Sequence, residues 1–117
     1  MSETGAGLSA EDTKLLTLAR ATRARVAADE GAAVRDRDGR TYAAATVDLP
    51  SLRLSALQVC VAMAVASGSR GLEAAVVLTE EPALRAADVE VVRELAGHDV
   101  VLHRADPRGA VQDTLRT

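Results

Sequence analysis

Scarcity is the first feature of this sequence. Its 117 residues hold one cysteine (Cys60), two histidines (His98 and His103), one aromatic side chain (Tyr42), and no tryptophan or phenylalanine. One cysteine cannot close an internal disulfide, so the fold does not rest on oxidation and a reducing compartment is expected. So few soft ligands rule out a closed Cys₃ or Cys₂His zinc site built from this chain alone. Long apolar runs are missing too, the longest being Val59 to Ala66, far too short to span a bilayer. Met1-Ser2-Glu3-Thr4-Gly5 is acidic and polar, unlike a signal peptide, so the expected location is the cytoplasm. Neither G-x-x-x-x-G-K-[ST] nor G-x-G-x-x-G occurs, so nucleotide phosphate binding by those routes has no support.

Fourteen basic residues against seventeen acidic ones leave a net charge of −3, which gives no push toward nucleic acid or anionic membrane. Residues 20–40 carry six arginines against four acids, whereas residues 72–100 carry seven acids against two arginines. Arg20, Arg23 and Arg25 read as a solvated helix face. With Arg35 and Arg37 they are also the only candidates for an RNA contact. At 48% apolar and 26% charged residues the chain has globular composition. Residues 1–8 are expected to be a flexible N-terminus and 9–117 a single domain.

Ser9 followed by Glu11 and Asp12 looks like an N-cap with acids in the first turn. Leu15, Leu18, Ala19 and Val26 recur at helical spacing, with Thr22 the one polar residue on that stripe, which predicts a helix to about residue 28. Ala32–Asp36 and Thr41–Val47 read as strands joined by the Asp38-Gly39 turn, a strong hairpin signal. Asp48-Leu49-Pro50 breaks the second strand. Leu54–Ser67 reads as a buried helix and Leu72–Thr79 as a central strand. Pro82 is expected to open a helix that Gly97 stops, with a short strand over Asp99–His103. The polar tail after Gly109 reads as a last helical turn or two. The pattern predicts a three-layer α/β/α domain with a mixed sheet and the hairpin on one edge, its strand–helix–strand units joining parallel strands.

Gly31-Ala32-Ala33-Val34, the Asp38-Gly39-Arg40-Thr41-Tyr42 turn and Val47-Asp48 resemble the hairpin of the free-nucleoside cytidine deaminases. Leu54-Ser55-Ala56-Leu57 through Gly68 resembles that family's next helix. Pro82 to Leu95 resembles the following one, with a shift at its start, and Asp113-Thr114-Leu115 its C-terminal segment. The resemblance implies the family's zinc-dependent chemistry, in which a Cys or His with a Glu, and a Cys-x-x-Cys pair, stand at two helix N-termini. The metal activates a water and the Glu moves protons. The matching positions here are Ser55 for the first ligand, Leu57 for the Glu, and Arg85 and Asp88 for the pair. Leu57 cannot move a proton, and Arg85 is permanently cationic. Zinc is therefore expected to be absent, and no catalytic or metal-ligating residue is assigned.

The residues that hold the ribose in the family match Thr46 and Asp48, one changed and one conservatively kept. With Arg85 they are the candidates for residual ligand binding. Arg85 is also a candidate to supply charge where the metal would sit, paired with Asp88 or an anion. Cys60, in a row with Ala56 and Ala64, reads as a buried structural thiol. His98 reads as a surface residue and His103 as hydrogen-bonded at a strand end, with no carboxylate near either in sequence. Tyr42 reads as packing.

Several readings stand. The first is a cytidine deaminase-like protein that has lost zinc-dependent deamination and acts as a non-catalytic assembly or partner-binding module. The resemblance adds the expectation of a homo-oligomer, a dimer or tetramer. The alternatives are a nucleoside-like small-ligand binder and an active deaminase with an atypical site.

Overall fold

A computed structural model describes residues 7–117. The expected loose start lies, for residues 1–6, outside the described residues. The chain runs α1 (Ala10–Val26), β1 (Gly31–Asp36), β2 (Thr41–Ala45), β3 (Val47–Leu49), β4 (Leu52–Leu54), α2 (Ala56–Ala66), β5 (Leu72–Leu78), α3 (Ala86–Ala96), β6 (Val101–Ala105) and β7 (Val111–Arg116). Among the described residues five strands form a mixed sheet in the order β2-β1-β5-β6-β7, and β3 pairs only with β4 in a separate hairpin. β1 is antiparallel to both β2 and β5, so β2 and β5 run the same way, and β5 pairs with β6 in parallel. Both expected strand–helix–strand units therefore join parallel strands.

The central strand explains the three layers. In Leu-Glu-Ala-Ala-Val-Val-Leu, side chains alternate across the sheet. Ala74, Val76 and Leu78 pack on one face with Leu15 and Ala19 of α1. Ala75 and Val77 pack on the other with Leu57, Cys60, Val61 and Ala64 of α2 and Val92 of α3. Both faces are covered, which is why this strand is an almost unbroken apolar run.

Small residues let α1 lie close to the sheet. A Cβ at Gly31 would overlap the Ala19 carbonyl oxygen and stand 2.6 Å from the Arg23 Cβ. The hairpin turn forms at the Asp-Gly pair, where Gly39 adopts φ +88°. Asp36, almost wholly buried, braces that turn by accepting from the N–H groups of Asp38 and Arg40 and from the hydroxyls of Tyr42 and Ser69. Tyr42 is a packing and bracing residue, its carbonyl also 3.6 Å from the Cys60 Sγ.

Four expectations from sequence need correction. The stripe of α1 that meets the core is Asp12, Leu15, Ala19 and Thr22, whereas Leu18 and Val26 are 37% and 52% exposed. Asp12 is buried because His103 and Arg35 meet its carboxylate, and Thr22 because its side chain is small, neither of which helical periodicity alone reveals. The third helix starts at Ala86, with Arg85 as N-cap, so Pro82 precedes it by a full turn. The second hairpin strand ends at Ala45, and Leu52–Leu54 forms a strand of its own against Val47–Leu49. The polar tail is not helical: Val111–Arg116 is an antiparallel edge strand on β6. It carries charged side chains because five of its six residues are exposed.

Candidate functional site

The site sits where the sheet topology gathers chain ends. α2 follows β2 by way of the β3–β4 hairpin, and α3 follows β5, so both helix N-termini lie beyond the C-terminal ends of parallel strands. β1 runs the other way, and Gly31 pairs with Leu78, which brings Glu30 to the same edge. In open α/β sheets ligand clefts form at this edge.

Ser55 caps α2. Its hydroxyl accepts from the Gln58 N–H while the Gln58 side chain accepts from the Ser55 N–H, a reciprocal capping box. The same hydroxyl donates to Asp88 Oδ1 at 2.7 Å, tying α2 to the first turn of α3. The Asp88 side chain is 2% exposed, and its other oxygen lies 3.9 Å from Arg85 Nη1. Burial holds the Asp88 carboxyl above its ordinary value; the Ser55 hydrogen bond and Arg85 oppose this, and nearby Glu30 adds to it.

Arg85 makes its strongest contact elsewhere. Its Nη1 reaches both oxygens of Glu30, at 2.8 and 2.9 Å, and Glu30 also accepts from the Thr79 hydroxyl at 2.7 Å. The hydrogen bond from Arg85 to Glu30, with the Glu30, Asp88 and Glu81 charges, holds the guanidinium above its ordinary value against burial. Glu30 is 5% exposed at its side chain and Arg85 46%. The ion pair therefore has one buried and one solvated end.

Glu30 had no signal in the sequence beyond being an acid in a short loop. Thr46 positions it: the Glu30 N–H donates to the Thr46 hydroxyl, and the Thr46 N–H donates to the Glu30 carbonyl. Asp48 pairs with Arg53 at 3.3 Å on the open rim. Thr46, Asp48, Ser55, Arg85 and Asp88 thus line one cleft of about 270 Å³ together with Glu30. Leu57 does not reach it, being fully buried in the core from the first turn of α2.

The remaining candidates lie outside the cleft. Cys60 is a free, buried thiol that burial pushes up to about 12, so it is not a nucleophile at neutral pH. His98 is exposed, with Nδ1 3.4 Å from the Thr117 carbonyl. His103 is buried, and a carboxylate does meet it: Asp12, 91 residues earlier, reaches its Nε2 at 2.9 Å.

A three-layer α/β/α sheet with two helix N-termini converging on a polar cleft defines the class to which the domain belongs. The model of the cytidine deaminase-like family matches residues 8–109, and the chain belongs to that family. Solved structures repeat the fold. Cytidine deaminase from Burkholderia pseudomallei superposes with a TM-score of 0.78 at 22% identity, over 92% of each chain. The enzyme from Mycobacterium leprae gives 0.64 at 24% identity, over 90% of this chain and 93% of that one. Cytidine deaminase from Mycobacterium tuberculosis gives 0.68 at 20% identity, over 89% and 90%. No curated protein matches the chain.

The family implies a zinc ion, and the donor set here does not fit one. A structural or catalytic zinc needs at least three N, S or carboxylate ligands around it. Ser55 already spends its hydroxyl proton on Asp88 and accepts from the Gln58 N–H, Leu57 is apolar, and Arg85 brings a fixed positive charge to within 3.9 Å of the one candidate carboxylate. Among the described residues no group of three or more His, Cys, Asp or Glu side chains could hold a metal ion.

Proposed function

We propose that this chain is a cytidine deaminase-like protein that has lost zinc-dependent deamination and acts as a non-catalytic assembly or partner-binding module. The carrying observation is the Ser55–Asp88 hydrogen bond with the Arg85–Glu30 ion pair beside it. These contacts occupy the positions from which the family's chemistry would be run, and they join side chains to one another rather than to a metal.

The surface supports a role in contacts. α2 has no charged residue in Ala56–Ala66, and it exposes Ala62, Val65 and Ala66 next to the half-buried Leu54 and Val91. These border a shallow apolar groove suited to close helix approach by a second copy or another protein. The expected state is a homo-oligomer in the cytoplasm. A single preparation tests the reading: metal analysis is expected to give no stoichiometric zinc, a cytidine-to-uridine assay no turnover, and light scattering a species larger than one chain. One equivalent of zinc with turnover would overturn it, and a monomer at micromolar concentration would overturn its assembly part.

The cleft favours a second reading, a binder of a nucleoside-like small ligand. Thr46, Asp48 and Arg85 share its wall, and half of the Arg85 side chain faces solvent. Calorimetry with cytidine, deoxycytidine and uridine decides it; no heat at millimolar ligand removes this reading.

A further inference from the structure

Away from the cleft, three side chains from distant parts of the chain meet on the α1 face of the sheet. Asp12 lies in the first turn of α1, His103 in the middle of β6, and Thr114 opposite it on β7. The ladder explains the His–Thr contact. The Thr117 N–H donates to the Val100 carbonyl, and hydrogen-bonded pairs alternate along an antiparallel ladder. Three pairs on, His103 and Thr114 fall at a non-hydrogen-bonded position, where facing side chains stand closest. There the Thr114 N–H and carbonyl point away from β6, toward the open edge that β7 forms.

The protons can be placed by elimination. Asp12 also faces Arg35, which lies 3.0 Å away and is itself paired with Glu73 at 2.8 Å. Burial raises the Asp12 carboxyl, but the contacts with His103 and Arg35 outweigh it and hold the group ionised, so it only accepts. His103 must therefore carry its proton on Nε2, 2.9 Å from Asp12 Oδ2. In the neutral ring Nδ1 is then a bare lone pair, and it faces the Thr114 hydroxyl at 2.8 Å. In that neutral form Thr114 donates to His103, and His103 donates to Asp12. This is the order carboxylate, imidazole, hydroxyl by which acyl-transfer triads are recognised, whatever their chain order. The His103 side chain is 6% exposed, whereas Thr114 is exposed at the sheet edge. A buried base thus holds the hydroxyl of an exposed residue.

We propose that Asp12, His103 and Thr114 form an acyl-transfer site that takes activated carboxylic esters, with Thr114 as nucleophile. This goes beyond the reading of the cleft and does not depend on it, since none of the three residues lines that cleft. Thr114 Oγ1 bonds to the ester carbonyl carbon while its proton passes to His103 Nδ1. The carbonyl electron pair moves to oxygen, beside the outward-facing Thr114 N–H. That pair returns as the bond to the alcohol oxygen breaks, and the alcohol leaves with the proton from His103. Water then repeats the sequence on the threonyl ester, releases the carboxylic acid and restores the hydroxyl. Asp12 holds the ring in the required tautomer and stabilises the imidazolium between the two transfers.

The full-length chain is incubated with p-nitrophenyl acetate and, separately, with an alkyl fluorophosphonate, followed by peptide mapping and by release of p-nitrophenol. The expected result is one adduct, on Thr114. Thr114→Val removes it without unfolding the protein, because valine suits an exposed strand position. Thr114→Ser keeps it. His103→Gln slows it by about 10²- to 10⁴-fold, the usual size of a general-base contribution. No adduct at Thr114 overturns the proposal, as does an adduct that forms as fast in His103→Gln. Should His103→Gln fail to fold, Thr114→Val against the parent decides, and equal p-nitrophenol release from the two overturns the proposal.

Discussion

Replacing Arg85 by Met keeps much of the side-chain stem and removes the charge that faces Glu30. Glu30 stays 5% exposed, loses the two contacts at 2.8 and 2.9 Å, and keeps only the Thr79 hydroxyl. Stripping one partner from a fully buried pair costs about 3–5 kcal/mol, because the remaining charge is stranded. Arg85 is 46% exposed, so water replaces part of what it supplied and the cost falls to about 2 kcal/mol. For a chain of this size that is a drop of about 8 °C in melting temperature. Thermal unfolding of four proteins closes a double-mutant cycle: parent, R85M, E30Q and R85M/E30Q. Glutamine at 30 still accepts from Thr79 and carries no charge to strand, so the double mutant is expected to be more stable than the sum of the single losses by about 1 kcal/mol or more. A chelator is expected to leave the parent's midpoint unchanged, since the ties at this edge run between side chains. An R85M midpoint indistinguishable from the parent's, or strict additivity in the cycle, would refute the claim that the ion pair braces the site.

Restoring the family's acid at position 57 offers a sharp contrast. Leu57→Glu places a carboxylate at a fully buried core position with no partner, so it is expected to destabilise by several kcal/mol and yield no deaminase activity, as read by denaturant unfolding and a uridine assay. The Cys60 thiol, pushed up to about 12, is expected to resist iodoacetamide in the native protein at pH 8 and to react only on unfolding, as followed by mass spectrometry. Stability should fall in acid. Burial raises the Asp12 and Asp36 carboxyls, but their partners outweigh it and hold both below the usual 3.8, His103 and Arg35 for the one and the Ser69, Arg40, Asp38 and Tyr42 donors for the other. The unfolded chain then takes up protons first, so their contribution is present above about pH 4 and drains away as pH drops through their folded values. Asp88, held above 3.8, works in the opposite sense and gains stability as pH falls toward that value. Asp36→Asn should therefore flatten the acid limb of a stability–pH profile, and an unchanged slope would count against the turn's dependence on that carboxylate.

Much of the architecture was readable because each layer leaves a local trace. The Asp-Gly turn, the Ser9 cap and the almost unbroken apolar run of β5 each follow from the chemistry of neighbouring residues. Boundaries failed where local chemistry was ambiguous. Pro82 suits the first turn of a helix, yet the chain bends for another turn before Arg85 begins α3. Val111–Arg116 is a strand because β6 offers it a ladder, and its own polar side chains report only that most of it faces water.

The site was legible in a different measure. The positions Ser55, Thr46, Asp48, Arg85 and Asp88 were reached through the resemblance to the cytidine deaminases, and they share one cleft. What spacing could not supply were the partners that give them a chemical role. Arg85 is bound by Glu30, 55 residues away, and His103 by Asp12, 91 residues away. Each partner is an acid at the end of a loop or in the first turn of a helix, where acids are common for reasons of solvation and capping. Only the pairing of β1 with β5 brings Glu30 to the cleft, and only the packing of α1 on the sheet sets Asp12 over β6. The two polar networks are thus products of topology: change the strand order and every residue keeps its local signal while both networks vanish.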